Sequence, residues 1–316
     1  MTVACANPSR GPARTLRQIV TYCSRWMRAL GRPVAGIVML AAVVWRFGFG
    51  PFRDGVHAVD GRALALAAVL GAVSTACCAW RWVLVARRHD LPLTFGAAVA
   101  AYYRSVFLNL TLPGGVVGDV HRGLRHGREA GGAGRALRAV AWERGIGQAV
   151  QAVVTAAVLV LLPSPVRGDV PVPLAITGLG AAAAGCLVLR RRWRLSWSVL
   201  SGVTAASLVV VSANAAMFVV AARTAGVSAP AARLAPLALV AMLAMVLPGI
   251  AGWGPREGAT AWAFAAAGLG AAAGVATAVV YGMMALSAAV PGAVVLIGAW
   301  LGDVARTAPT GEAADA

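Results

Sequence analysis

Lysine is missing from all 316 residues of this chain, and acidic residues number only 11. Charged residues make up 12% of the sequence, about half the fraction a soluble domain carries. With 59% hydrophobic residues and a mean hydropathy of +0.76, that scarcity excludes an ordinary soluble fold and indicates an integral membrane protein. The 28 basic residues are therefore all arginine and leave a net charge of +17. A GC-rich coding sequence accounts for arginine in place of lysine, and for the many alanines and glycines. Phosphate binding, which suits the planar guanidinium fork, has to be judged position by position.

Catalytic signatures are also absent. The sequence has no Ser/His/Asp arrangement, no phosphate-binding P-loop and no GxGxxG, so no enzyme activity and no cofactor is expected. The five cysteines (Cys5, Cys23, Cys77, Cys78 and Cys186) form no CxxC, and adjacent Cys77 and Cys78 are read as packing residues. His121 and His126 have no carboxylate or thiolate set around them, so no metal site is expected. No A-x-A cleavage site follows the apolar run Val34–Gly50, which makes the arginine-rich start a signal anchor rather than a removed leader.

What is present is a series of apolar runs. Six approach the roughly 20 residues that cross a bilayer: 33–50, 62–86, 139–162, 173–189, 196–222 and 274–301. Trp26, Trp45, Trp80, Trp82, Trp142, Trp193, Trp197 and Trp300 fall near their ends, as interfacial aromatics do. Arg46 and Arg81 are expected to snorkel outward. Arginine placement then orients the chain. Segment 1–32 is basic and cytoplasmic, loop 51–61 lies outside, and Arg87-Arg88 and Arg122 to Arg138 lie inside. Residues 92–118 are apolar yet begin and end on one side, so they must dip in and out.

The second half repeats this pattern inverted. Loop 163–172 lies outside, the arginines of 190–194 inside, and 223–233 outside. Residues 234–270 form a second broken hairpin, and span 274–301 returns the chain to a short cytoplasmic tail at 302–316. The expected fold is thus an all-α polytopic membrane protein of about six full transmembrane helices and two re-entrant hairpins. Its inverted halves cover about 33–162 and 173–301, with both termini cytoplasmic in the cell membrane. Each hairpin breaks at Leu-Pro-Gly, starting at 112 and at 247. Broken segments at matching positions of two inverted halves point to a transporter binding site.

Charges follow each break. A helix that restarts inside the bilayer presents free N–H groups and a positive dipole end, which attract anions. Structurally, Asp119 could be an N-cap and Glu257 a favourable first-turn acid. Arg256, after Gly254-Pro255, is a cation in a first turn, and an unpaired charge at membrane depth costs about 3 kcal/mol. It needs Glu257, Glu143, Asp119 or an anionic substrate. Glu143-Arg144 opens the third span, either as an interfacial ion pair or as part of a charged cavity. Arg122, Arg125 and Arg128 recur at i, i+3, i+6 and would share a helix face, solvated or collecting lipid phosphates. Nucleic acid is a poor partner for basic residues dispersed between spans.

The segments "YYRSVFLNLTLPGGVVGDVHRG", "AWERGIGQ" and "LPGIAGWGPREGATAWAFAAAGL" together resemble the lysylphosphatidylglycerol synthase transmembrane-region family, whose members are also described as flippase-like. The resemblance runs from about 33 to 301. It implies a flippase-like membrane protein with two re-entrant elements that handles phospholipids or polyprenyl-linked lipids. The matching positions are Asn109, Pro113, Gly114, Asp119, Arg122, Glu143, Arg144, Gly252, Gly254, Arg256 and Glu257. In two-part members a soluble domain makes the aminoacyl lipid and the membrane region moves it. Only 15 residues follow Leu301 here, so synthesis is not expected. The expected function is translocation of an anionic-headgroup lipid between leaflets. Arg122, Arg144 and Arg256 would bind the phosphate in one midplane cavity, with Asp119, Glu143 and Glu257 holding them or exchanging a proton. The alternative is a non-transporting membrane subunit that docks or regulates an envelope glycosyltransferase or a lipid-modifying enzyme such as an aminoacyltransferase.

Overall fold

The computed structural model describes residues 41, 44–46, 48–112, 115–161, 197–245 and 254–307, with side chains through Leu301. Their regular structure is all α-helical. The helices are α1 (Gly50–Ala58), α2 (Gly61–Arg87), α3 (Phe95–Thr111), α4 (Val117–Glu129) and α5 (Ala133–Leu161), then α6 (Trp197–Thr224), α7 (Ala231–Ala244), α8 (Pro255–Ala266) and α9 (Ala271–Thr307). Four are long and apolar enough to cross a membrane: α2, α5, α6 and α9 through Leu301. They match the expected spans at 62–86, 139–162, 196–222 and 274–301. The expected span at 173–189 lies outside the described residues, as does most of 33–50. Helix α5 starts earlier than its apolar run because alanine and arginine in "AGRALR" favour helix without being hydrophobic.

The apolar outer faces agree with a multi-pass membrane protein. Val290, Val294, Ile297 and Leu301 of α9 are each at least half exposed and recur along one face, an arrangement suited to lipid. Small residues set the close helix approaches behind that face. A Cβ on Gly292 would collide with the Tyr103 backbone of α3, and one on Gly71 of α2 with Ala288 of α9. One core cluster joins α6 to α9 through Phe218, Leu234, Leu237, Phe264 and Met284. A second joins α2, α3 and α5 through Trp82, Leu91, Tyr102 and Val140. Trp82 is 1% exposed, a correction to its expected interfacial place, whereas Trp45, Trp197 and Trp300 are well exposed. The expected outside loop 51–61 contains α1, which packs on α9.

Each expected hairpin region holds two short helices that pack on each other, α3 with α4 and α7 with α8. At 1.5 Å per residue, α3 is about 26 Å long, α7 about 21 Å and α8 about 18 Å, all short of a bilayer core near 30 Å. Leu112 leaves α3 in extended conformation, and Gly115 takes a positive φ of 64° before α4 begins. The second break, 246–253, lies outside the described residues, but α7 and α8 pack against each other. The packing is also reciprocal. Helix α4 lies on α3 and α5, as α8 lies on α7 and α9; α3 meets α9, as α7 meets α5.

Candidate functional site

Helix α4 is organised by its glycines. Gly118, Asp119, Arg122, Gly123, His126 and Gly127 form its buried stripe. A Cβ on Gly118 would strike the Ser105 backbone, one on Gly123 the Leu137 side chain, and one on Gly127 the Ala133 backbone. The glycines therefore bring α4 close to α3 and α5 and carry the intervening charges inward. Arg122 is 2% exposed, whereas Arg125 and Arg128 face outward. The expected shared arginine face is thus split, because each i+3 step drifts round the helix by about 60° and two such steps by about 120°. Asp119 is not the N-cap of α4 either. Val116 holds that position, with no side-chain cap, and Asp119 lies inside the first turn. A side chain from the other arm does the capping: the Gly118 N–H donates to Asn109 Oδ1 at 2.8 Å.

Two carboxylates and three guanidiniums converge behind this stripe. Glu143, fully buried on α5, accepts from Arg81 Nε at 2.7 Å, Arg122 Nη2 at 2.7 Å and the Tyr102 hydroxyl at 3.2 Å. Asp119 accepts from Arg122 Nε at 2.9 Å, Asn109 Nδ2 at 2.9 Å and Ser105 Oγ at 3.1 Å, and also pairs with Arg144. Adjacent Glu143 and Arg144 thus face different partners and do not form the expected local pair. Arg122 also stacks on Trp82 and Tyr102, 4.6 and 4.3 Å from their ring centroids.

The balance of charge is uneven. Arg81, Arg122 and Arg144 face Asp119 and Glu143, which leaves one positive charge over within the cluster. Arg122 Nη1 and Arg144 Nε are buried without a hydrogen-bond partner among the described residues. The Arg144 side chain is 39% exposed while those of Arg81 and Arg122 are almost wholly buried. Arg144 is therefore where the cluster meets its surroundings.

The second set lies at the start of α8. Gly254 adopts a φ of 97°, which turns its N–H toward Glu257 Oε2 at 2.7 Å. Arg256 Nε donates to Glu257 Oε1 at 2.9 Å, and its guanidinium lies 5.6 Å from the Tyr281 ring centroid. Both charges are buried, so Glu257 is the carboxylate that Arg256 requires as well as a first-turn acid. The described bonds fall into two sets: Asp119, Arg122, Glu143, Arg144 and Asn109 in one, Gly254, Arg256 and Glu257 in the other. Pro113, Gly114 and Gly252 lie outside the described residues.

Sequence reasoning missed Arg81, Tyr102, Ser105 and Ser207. Arg81, expected to snorkel, is 5% exposed and donates to Ser207 Oγ at 3.0 Å as well as to Glu143. A signal existed: Arg87 and Arg88 already mark the end of that helix, and Arg81 lies nearly two turns inside it. Gly147 makes the reach possible, since a Cβ there would sit 2.6 Å from Arg81 Nη1. Cys78 packs beside Arg81, and no metal-ligating group is found among the described residues.

The sequence model for the lysylphosphatidylglycerol synthase TM region matches residues 30–194, more than half of the chain. The chain belongs to that family. The match takes in α2 to α5 and the larger charged cluster, and stops before the second hairpin. No curated protein matches the chain.

Proposed function

We propose that this family member moves a lipid with an anionic headgroup, a phospholipid or a polyprenyl-linked phosphate, between the leaflets of the cell membrane. The observation that carries the reading is the surplus guanidinium of the buried cluster, with unmade donors on Arg122 and Arg144 and one open edge at Arg144. A phosphate arriving there supplies the missing negative charge and accepts those donors, and arginine suits it by its fork geometry. The arms α3–α4 and α7–α8 are read as re-entrant hairpins entering from opposite faces. Their reciprocal packing on α5 and α9 supports two inverted halves. The restarted helices α4 and α8 point their positive ends into the breaks. Arg256 and Glu257 form the counterpart of the first cluster in the second half. In this reading the protein is a transporter with no catalytic step of its own.

Liposomes test this. Purified protein should speed leaflet exchange of a fluorescent anionic lipid more than that of a zwitterionic one. Asp119→Asn and Arg122→Ala should each slow exchange in protein that remains folded, and Arg306→Ala in the last turn of α9 should not. A second reading rests on the tight pairing of Glu143 and Glu257, which suits struts in a rigid membrane subunit. Exchange at the protein-free rate across several lipids and imposed gradients, with co-purification of a glycosyltransferase or aminoacyltransferase, would favour that docking role.

A further inference from the structure

The outer face of α4 carries arginines that the buried cluster does not use. His121, Leu124, Arg125 and Arg128 recur at i, i+3, i+4 and i+7 and, with Glu129, line a cavity of about 430 Å³. Burial, and then the guanidiniums of Arg104, Arg125 and Arg128, hold the His121 imidazole below its ordinary value. That places Arg104, on the neighbouring arm α3, within electrostatic reach of the cavity. Arg104 is 8% exposed, and its Nε is buried with no hydrogen-bond partner among the described residues. Glu129 is the one carboxylate lining the cavity, and it pairs with Arg125 at 3.2 Å, an exposed i,i+4 contact of small worth. The lining holds two guanidiniums against one carboxylate, and Arg104 on the neighbouring arm adds a further positive charge to its field.

We propose that this cavity is a second anion site, separate from the buried cluster, which takes the phosphate of a lipid headgroup at the membrane surface. Helix α4 is too polar to span, and four residues after it the spanning helix α5 begins, so the cavity opens beside the bilayer rather than within it. The 430 Å³ volume admits a phosphate with its glycerol or sugar substituent. Arg104 supplies a desolvated donor from one side, and Arg125 and Arg128 supply the flanking charges. Such a site works in a translocator or in a docking subunit, so it stands apart from the transport reading.

Binding to the full chain in a phosphate-free maltoside detergent tests it by calorimetry, with inorganic phosphate in one arm and dihexanoyl phosphatidylglycerol in the other. Arg104→Gln, Arg125→Gln and Arg128→Gln should each weaken the lipid about fivefold, and Arg135→Gln, an exposed arginine outside the cavity, should not. Thermal unfolding identifies any variant that fails to fold. Because Arg125 and Arg128 are exposed, their double variant gives a measurement even if Arg104→Gln misfolds. Lipid binding that falls in the variants, with little binding of free phosphate, assigns the site to headgroups. Equal binding and equal losses in both arms assign it to phosphate of any source and overturn the lipid source. Lipid affinity unchanged in the double variant and in a folded Arg104→Gln would overturn the site itself.

Discussion

Glu143 and Arg144 are neighbours in sequence with opposite prospects. Glu143 is fully buried and is shared by two guanidiniums, so losing its charge leaves Arg81 buried without its carboxylate and Arg122 with Asp119 alone. Breaking a buried pair from one side costs about 3–5 kcal/mol. Glu143→Gln should therefore lower the unfolding temperature in detergent sharply, and much of the protein should be lost on purification. Arg144 is different. Its side chain is 39% exposed, and Asp119 keeps Arg122, Asn109 and Ser105 when it is gone. Arg144→Ala should change stability by about 1 kcal/mol or less while slowing exchange of an anionic lipid, with only partial recovery in Arg144→Lys because the fork is lost. Thermal unfolding and the exchange assay on the same preparations separate the two roles. Equal destabilisation by both, with exchange intact in Arg144→Ala, would make the whole cluster a strut.

At the scale of elements, the same substitution should act in opposite senses two residues apart. Gly145 and Gly147 both lie inside α5. A Cβ on Gly145 meets nothing within 4 Å, whereas one on Gly147 presses on the Arg81 guanidinium that Glu143 and Ser207 hold in place. Gly145→Ala should stabilise by up to about 1 kcal/mol through helix propensity. Gly147→Ala should destabilise by about 1–3 kcal/mol through overpacking. Unfolding temperatures of the two variants check this, and equal shifts would mean that Arg81 is free to move aside. Such distinctions mark the limit of what the sequence makes legible. The four spans and the short packed helices before and after each Leu-Pro-Gly are readable because hydropathy and helix breakers are local signals. So are Asp119, Arg122, Glu143, Arg144, Arg256 and Glu257, since charge is conspicuous in an apolar chain. The pairing is not readable, because it depends on rotation between helices. Arg81 reaches a carboxylate 62 positions away, and Arg122 turns inward while Arg125 turns out.

For the whole molecule, the reading depends on the two hairpins entering from opposite faces. The arms are present and pack reciprocally, but packing is unchanged if the assembly is viewed from either side of a membrane. Orientation rests instead on arginine, which flanks the α4–α5 connection at Arg122, Arg125, Arg128, Arg135 and Arg138 but the α6–α7 connection at Arg223 and Arg233 alone. Two positions report on it. Ala130 ends α4, and Ser228 is exposed in the loop before α7. With the five native cysteines replaced, Ala130→Cys should react with a membrane-impermeant maleimide only after the cells are opened. Ser228→Cys should react in intact cells. Blocking first from outside and then labelling in lysate distinguishes a buried site from an inward-facing one. Opposite sidedness means that α3–α4 and α7–α8 start from opposite faces, as a midplane site with alternating access requires. If both cysteines react from the same side, the halves are not inverted, and α4 and α8 cannot direct their N-terminal ends at one lipid phosphate from opposite leaflets. The buried arginine cluster would then have to act alone, open to one leaflet, which suits the docking subunit better than the translocator.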